Sequence, residues 1–124
     1  MSLQNTIGPV MVGPSSSHTA GAVRIGQMAR ILLKDMPRSG EILLHGSFAR
    51  TGRGHGTDKA IIAGILGLEP DDMRIPASFE LAQEQGFTYT IGSVQLPDAH
   101  PNTALIRLKG SGGREIEVQA SSVG

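Results

Sequence analysis

At 124 residues the chain has the length of one domain, enough to bury roughly two-thirds of its unfolded surface. Eleven basic and eleven acidic residues cancel to a formal charge of zero; with no Lys/Arg block, three Phe, one Tyr and no Trp, the footprint of a nucleic-acid binder is missing. The absence of cysteine excludes a disulfide framework, Cys-bound zinc, a thiol nucleophile and any iron-sulfur cluster ligated by this chain's own thiolates.

Met1, Ser2 and Leu3 read as a cloning remnant and are left out of the fold reasoning. Thr6 to Val12 is apolar but broken by Gly8 and Pro9, which predicts a turn or short extended entry segment, not a central strand. From Ser17 the apolar residues Ala22, Ile25, Met28, Ala29, Leu32 and Leu33 recur at spacings of three and four, predicting a helix of about 16 residues. Ser16 or Ser17 is its natural N-cap, and Pro37 with Gly40 closes the segment.

Glu41 to Phe48 reads as a strand that runs into the glycine-rich loop Thr51 to Asp58. A short buried helix then covers Ala60 to Leu66, capped by Thr57 or Asp58 and ending near Gly67. Pro70 to Pro76 is a connection, and Ala77 to Gln85 a short helix stopped by Gly86. Three strands follow at Phe87 to Ile91, Thr103 to Leu108 and Arg114 to Ala120, the last two forming a hairpin around Gly110, Ser111, Gly112 and Gly113. No apolar run nears the roughly 20 residues of a membrane span, and no charged n-region precedes an apolar one, so a cytosolic (cytoplasmic) chain with no membrane partner is expected.

Three polar clusters stand out. Ser15, Ser16, Ser17, His18 and Thr19 crowd four hydroxyls and an imidazole onto a loop entering a helix, where unpaired N–H groups and the helix dipole suit a carboxylate or phosphate. The same serines also serve as ordinary cap residues. Gly52, Gly54 and Gly56 surround His55, leaving an imidazole that can bind an anion or move a proton; the spacing matches neither a Walker A loop nor a dinucleotide fingerprint. His100, Pro101, Asn102 and Thr103 make a turn before a strand. No two of the four histidines share one helical face at metal-ligand spacing, so no metal site is expected, and His45, inside an apolar strand, reads as structural.

Ile7 through Gly13 to Thr19, Ala20 and Gly21, then Gly46, Ser47, Phe48, Ala49 with Gly54, His55, Gly56, Thr57, Asp58, then His100 to Thr103, together resemble the beta chain, or beta domain, of bacterial iron-sulfur-dependent L-serine dehydratases. The resemblance implies an α+β fold of helices in two layers with a mixed sheet, similar to the allosteric substrate-binding domain of some D-3-phosphoglycerate dehydrogenases. It implies the conversion of L-serine to pyruvate and ammonia with an alpha chain that carries the [4Fe-4S] cluster. His55, Thr57 and His18 are then the catalytic candidates, with the choice of base open between the imidazoles. Ser15, Ser16, Ser17, Thr19 and Asn102 become substrate-binding candidates. A single domain over 1–124 is expected, truncated before an ACT-like regulatory domain, and a free sheet edge would let it form a homodimer. The competing expectation is a non-catalytic regulatory module that binds serine or another small carboxylate.

Overall fold

The structure, a computed structural model, describes residues 6–13, 17–52 and 56–123. Among the described residues the chain forms β1 (Thr6–Val12), α1 (His18–Leu33), β2 (Pro37–Gly46), α2 (Ser47–Gly52) and α3 (Thr57–Ile65). A short 3-10 turn (Ile75–Ala77) leads into α4 (Ser78–Gln85), followed by β3 (Thr88–Ser93), β4 (Asn102–Gly110) and β5 (Glu115–Ser122). The fold is α+β, with four helices packed on a mixed five-stranded sheet of order β1-β5-β4-β2-β3.

Period-2 alternation explains the layers. Ile42 and Leu44 of β2, Ala104, Ile106 and Leu108 of β4, and Ile116, Val118 and Ala120 of β5 are buried. On the opposite face the register aligns Glu41, Arg107 and Glu117, where Arg107 donates from Nη1 to Glu41 at 2.7 Å and from Nε to Glu117 at 2.6 Å. One face is therefore core, and the other carries this charge-paired row with the half-buried Leu43 and Leu105 beside it. The buried stripe of α1 (Ala22, Val23, Ile25, Ala29, Leu33) and nearly all of α3 (Ala60 to Ile65) complete that core.

The two helices cross through a pair of glycines. A Cβ built on Gly64 would lie 2.0 Å from the Val23 carbonyl oxygen, and one on Gly26 2.2 Å from that of Ile61. No side chain fits at either position without parting the backbones.

Several sequence expectations are met with shifted boundaries. β1 is an edge strand, parallel to β5, as its Gly and Pro required. The first helix has the expected length of 16 residues, capped by Ser17, whose Oγ accepts from Ala20 N–H at 3.0 Å. It ends at Lys34, which takes the left-handed conformation at φ 57°, and Pro37 opens β2 instead of closing the helix. β4 and β5 form the expected antiparallel hairpin. Asp35 secures its turn by accepting from Gly112 N–H at 2.7 Å and from the Ser111 hydroxyl at 3.2 Å.

Two local expectations are corrected. The strand stops at Gly46, not Phe48, because Gly46 adopts φ 62° and turns the chain into α2, a helix the sequence did not announce. α3 is capped by Gly56, with no side-chain capping bond, so Thr57 and Asp58 lie inside its first turn.

Candidate functional site

The strand register gathers the polar loops at one end of the sheet. β1, β2, β3 and β5 all finish there and β4 begins there, with Val12 beside Ser122, Ser121 beside Thr103, Asn102 beside Gly46, and Leu44 beside Ser93. The N-termini of α1 and of α2 with α3 leave from that same end. The clusters around His18, Thr57 and His100 are thus neighbours in space although up to 84 residues separate their partners in sequence.

Asn102 joins two imidazoles. His18 Nε2–H donates to Asn102 Oδ1 at 3.1 Å, and the backbone N–H of Asn102 donates to His100 Nδ1 at 3.0 Å. The first bond leaves the lone pair of His18 on Nδ1; the second leaves the ring proton of His100 on Nε2. Below His18 lies the fully buried Phe48, ring centroids 4.9 Å apart and planes at 60°, an edge-tilted contact that restricts the imidazole. His18 itself is exposed, so its Nδ1, without a hydrogen bond among the described residues, sits on a ring held from two sides and open to solvent.

The His100–Thr103 turn is clamped from beneath. Thr103 Oγ1 donates to the His100 carbonyl at 2.6 Å and shares a 2.6 Å bond with Ser121 Oγ, and both hydroxyls are buried. Ser47 N–H donates to the Pro101 carbonyl at 2.8 Å, and a Cβ on Gly46 would meet that same oxygen at 2.6 Å. This close approach fixes Asn102 relative to Phe48.

The second cluster is organised differently. Thr57 is 4% exposed, and its hydroxyl bonds Thr51 Oγ1 at 3.1 Å, which in turn donates to the Ser47 carbonyl at 3.0 Å. Thr57 therefore ties α3 to α2. Thr19, Gly56, Asp58, Lys59 and Phe79 line a cleft of about 520 Å³ between the first turns of α1 and α3. Lys59 Nζ stands 5.5 Å from the centre of the Phe79 ring, a cation–π geometry. Burial pushes the nearby Tyr89 phenol up, with the negative charges of Asp58 and Glu80 adding to the effect.

The helix ends are unequal as anion sites. α3 already carries an acid, Asp58, in its first turn, whereas α1 has none. Among the described residues Ser17 Oγ takes only the Ala20 N–H, and the amides of His18 and Thr19 lie outside the helix's own bonds. Of the two helix starts, that of α1 is the one without an acidic residue in its first turn.

Of the expected site residues, His18, Thr19, Asn102 and Thr57 come to this end of the sheet, while Ser17 is occupied as a cap. Ser15, Ser16 and His55 lie outside the described residues. His45 is structural in its contacts: its Nδ1 accepts from Leu96 N–H at 3.0 Å. The sequence reading missed the His18–Asn102–His100 chain, since only the β2–β4 register reveals it, and it gave Asp58, a member of the second motif, no role beyond a cap. Among the described residues no group of three or more His, Asp or Glu is placed to hold a metal ion, and no helix is long and apolar enough to cross a membrane.

Residues 6–105 match the family described as serine dehydratase beta chain. The chain is 50% identical over 119 residues to the L-serine dehydratase beta chain of Peptoniphilus asaccharolyticus, covering 95% of this chain and 54% of that protein. It is 44% identical over 123 residues to the probable L-serine dehydratase beta chain of Bacillus subtilis (strain 168), covering 99% and 56%. L-serine dehydratase 2 of Escherichia coli (strain K12) is 46% identical over 70 residues, 52% of this chain and 15% of that protein. The chain spans about half the length of the two beta chains it matches along nearly all of its own.

Proposed function

This chain belongs to the serine dehydratase beta chain family, and we propose that it supplies one wall of an L-serine dehydratase active site that an alpha partner completes. The reaction removes the α-proton and the β-hydroxyl of L-serine as water, and the resulting aminoacrylate takes up water to give pyruvate and ammonia. This chain holds no thiolate, so its donors do not fit a [4Fe-4S] cluster; the cluster, on the alpha partner, would serve as a Lewis acid for the departing hydroxyl. The same reading puts the complex in the cytosol, in the catabolism of serine.

The first turn of α1 holds the substrate carboxylate through the amides of His18 and Thr19, with Ser15 and Ser16, which precede it in sequence, as further donors. His18 is the base: its Nδ1 carries the lone pair and Asn102 fixes the tautomer, so the α-proton passes to Nδ1 without rearrangement of the ring. Asn102 is a positioning residue in this scheme, and Thr57 holds α3 against α2. His55 remains a candidate for contact with the substrate.

The Asn102 bridge between His18 and His100 carries the reading. Its test is the complex reconstituted with the alpha partner, followed by pyruvate release from L-serine. His18→Ala is expected to lower turnover by about 10²- to 10⁴-fold with the cluster absorbance unchanged. Asn102→Asp keeps an acceptor for Nε2–H but adds a negative charge that favours the imidazolium, so the acidic limb of the pH–rate profile moves to higher pH. Unchanged maximal turnover with altered serine activation in His18→Ala would assign a regulatory role instead.

A further inference from the structure

Asp58 is the only buried ionisable side chain among the described residues, at 7% exposure. A carboxylate offers about four acceptor positions and is costly to bury unless they are filled. Asp58 fills one: its Oδ1 accepts from the adjoining Lys59 N–H at 2.7 Å, and Oδ2 has no hydrogen-bond partner among the described residues. It has no ion pair there either, since the ion pairs join Arg74 to Asp72 and Arg107 to Glu41 and Glu117. Its neighbour Lys59 reaches instead over the Phe79 ring. The α3 dipole offsets only part of the cost.

The half-satisfied carboxylate lines a cleft together with Lys59, the Phe79 ring, Ile75, Pro76 and Thr19 of the first turn of α1. Asp58 suits a cation, and the start of α1, with no acid in its first turn, suits an anion. We propose that Asp58 is the ammonium acceptor of this cleft, which selects α-amino acids over carboxylic acids of the same carbon skeleton. The ligand's ammonium lies on Asp58 and its carboxylate at the start of α1, an arrangement that pairs each charge of a zwitterion with a group of opposite sign. For L-serine this orientation rests on the lyase reading above; the demand for an ammonium does not.

L-Alanine and propionate, which differ only by the amino group, separate the two claims. Both are titrated into the ¹⁵N-labelled full chain by NMR and used as inhibitors of the complex with the alpha partner. A charge-assisted hydrogen bond predicts L-alanine binding about 10- to 100-fold tighter than propionate, with shifts centred on Thr19, Asp58 and Lys59. Asp58→Asn, verified as folded by circular dichroism, should bring the two affinities together, and Asp58→Glu should restore part of the preference. If Asp58→Asn does not fold, Asp58→Ser is read in its place. Equal affinities in the wild type, no saturable binding of either probe, or an undiminished preference in Asp58→Asn would overturn the proposal. Failure of the lyase reading would show separately, as no pyruvate from L-serine in the reconstituted complex.

Discussion

The glycine pair at the α1–α3 crossing makes the stability of the domain sensitive to one added methyl group. In Gly64→Ala the new Cβ would stand 2.0 Å from the Val23 oxygen, 2.7 Å from the Gln27 nitrogen and 2.9 Å from the Gly26 Cα, against 3.4 Å for ordinary contact. All three are backbone atoms, so no rotamer change relieves the clash and the helices must separate by about 1 Å or more. That separation loosens the packing of Ile25, Ile61, Ile62 and Ile65, which are fully buried around the crossing. Such a gap forfeits about a quarter to a half of each affected dispersion contact. Overpacking costs about 1–3 kcal/mol and the loosened core about as much again, while the better helix propensity of alanine returns about 1 kcal/mol. A net loss of about 3 kcal/mol lowers the melting temperature of a chain this size by roughly 10 °C. Circular dichroism melts at fixed pH measure it, with Met73→Ala, at a site 93% exposed, as a control expected within about 0.5 kcal/mol of wild type. The double variant Gly26→Ala/Gly64→Ala should cost less than the sum of the singles, because the first methyl already opens the space for the second. A Gly64→Ala protein that melts within about 2 °C of wild type would refute the close-crossing argument.

Thr103→Val keeps shape but removes the hydroxyl shared by the His100 carbonyl and Ser121, leaving buried groups unpaired at a cost of about 1–3 kcal/mol in urea unfolding. Adding Ser121→Ala should recover part of that loss, and equal stability of Thr103→Val and wild type would remove the clamp from the account of the turn. Asp72 is held down to about 2 by its hydrogen bonds from the Arg74 side chain and backbone, below its ordinary 3.8. A carboxyl lowered on folding stabilises above its unfolded value and loses that stabilisation as the pH falls through its folded value. The melting-temperature difference between wild type and Asp72→Asn should therefore be full above pH 3.8 and shrink on acidification toward about 2; a difference independent of pH over this range would exclude the linkage.

Elements with a long apolar period were legible in the sequence, and those set by single backbone conformations were not. Ala22 through Leu33 gave the length of α1, and the alternation of Ile116, Val118 and Ala120 against Glu115, Glu117 and Gln119 gave the inward face of β5. α2 escaped because Phe48 and Ala49 continue the apolar run of β2, and only the left-handed Gly46 separates strand from helix. The length of α1 was legible but the way it ends was not: Lys34 is left-handed without being glycine, and Arg114 Nε stabilises that end from far along the chain by donating to the Leu33 carbonyl at 2.6 Å. The site was legible as three motifs, but nothing local said that Asn102 would face His18 or that Asp58 would be buried against a cleft.

The candidate chemistry therefore depends on strand register as much as on residue identity. Asn102 opens β4 opposite Gly46, and the next residue, Thr103, is pinned to Ser121 of β5 beneath it. A slip of one residue in the β2–β4 pairing would exchange the inward and outward faces of β4, placing Thr103 opposite Gly46 and breaking its bond to Ser121. It would also carry Asn102 off the His18 ring, and the imidazole would lose the acceptor that fixes its tautomer. The buried hydroxyl pair and the close Gly46–Pro101 approach thus act on the His18 imidazole through Asn102. In this fold the polar atoms buried under the His100–Thr103 turn set the geometry of the exposed ones above it.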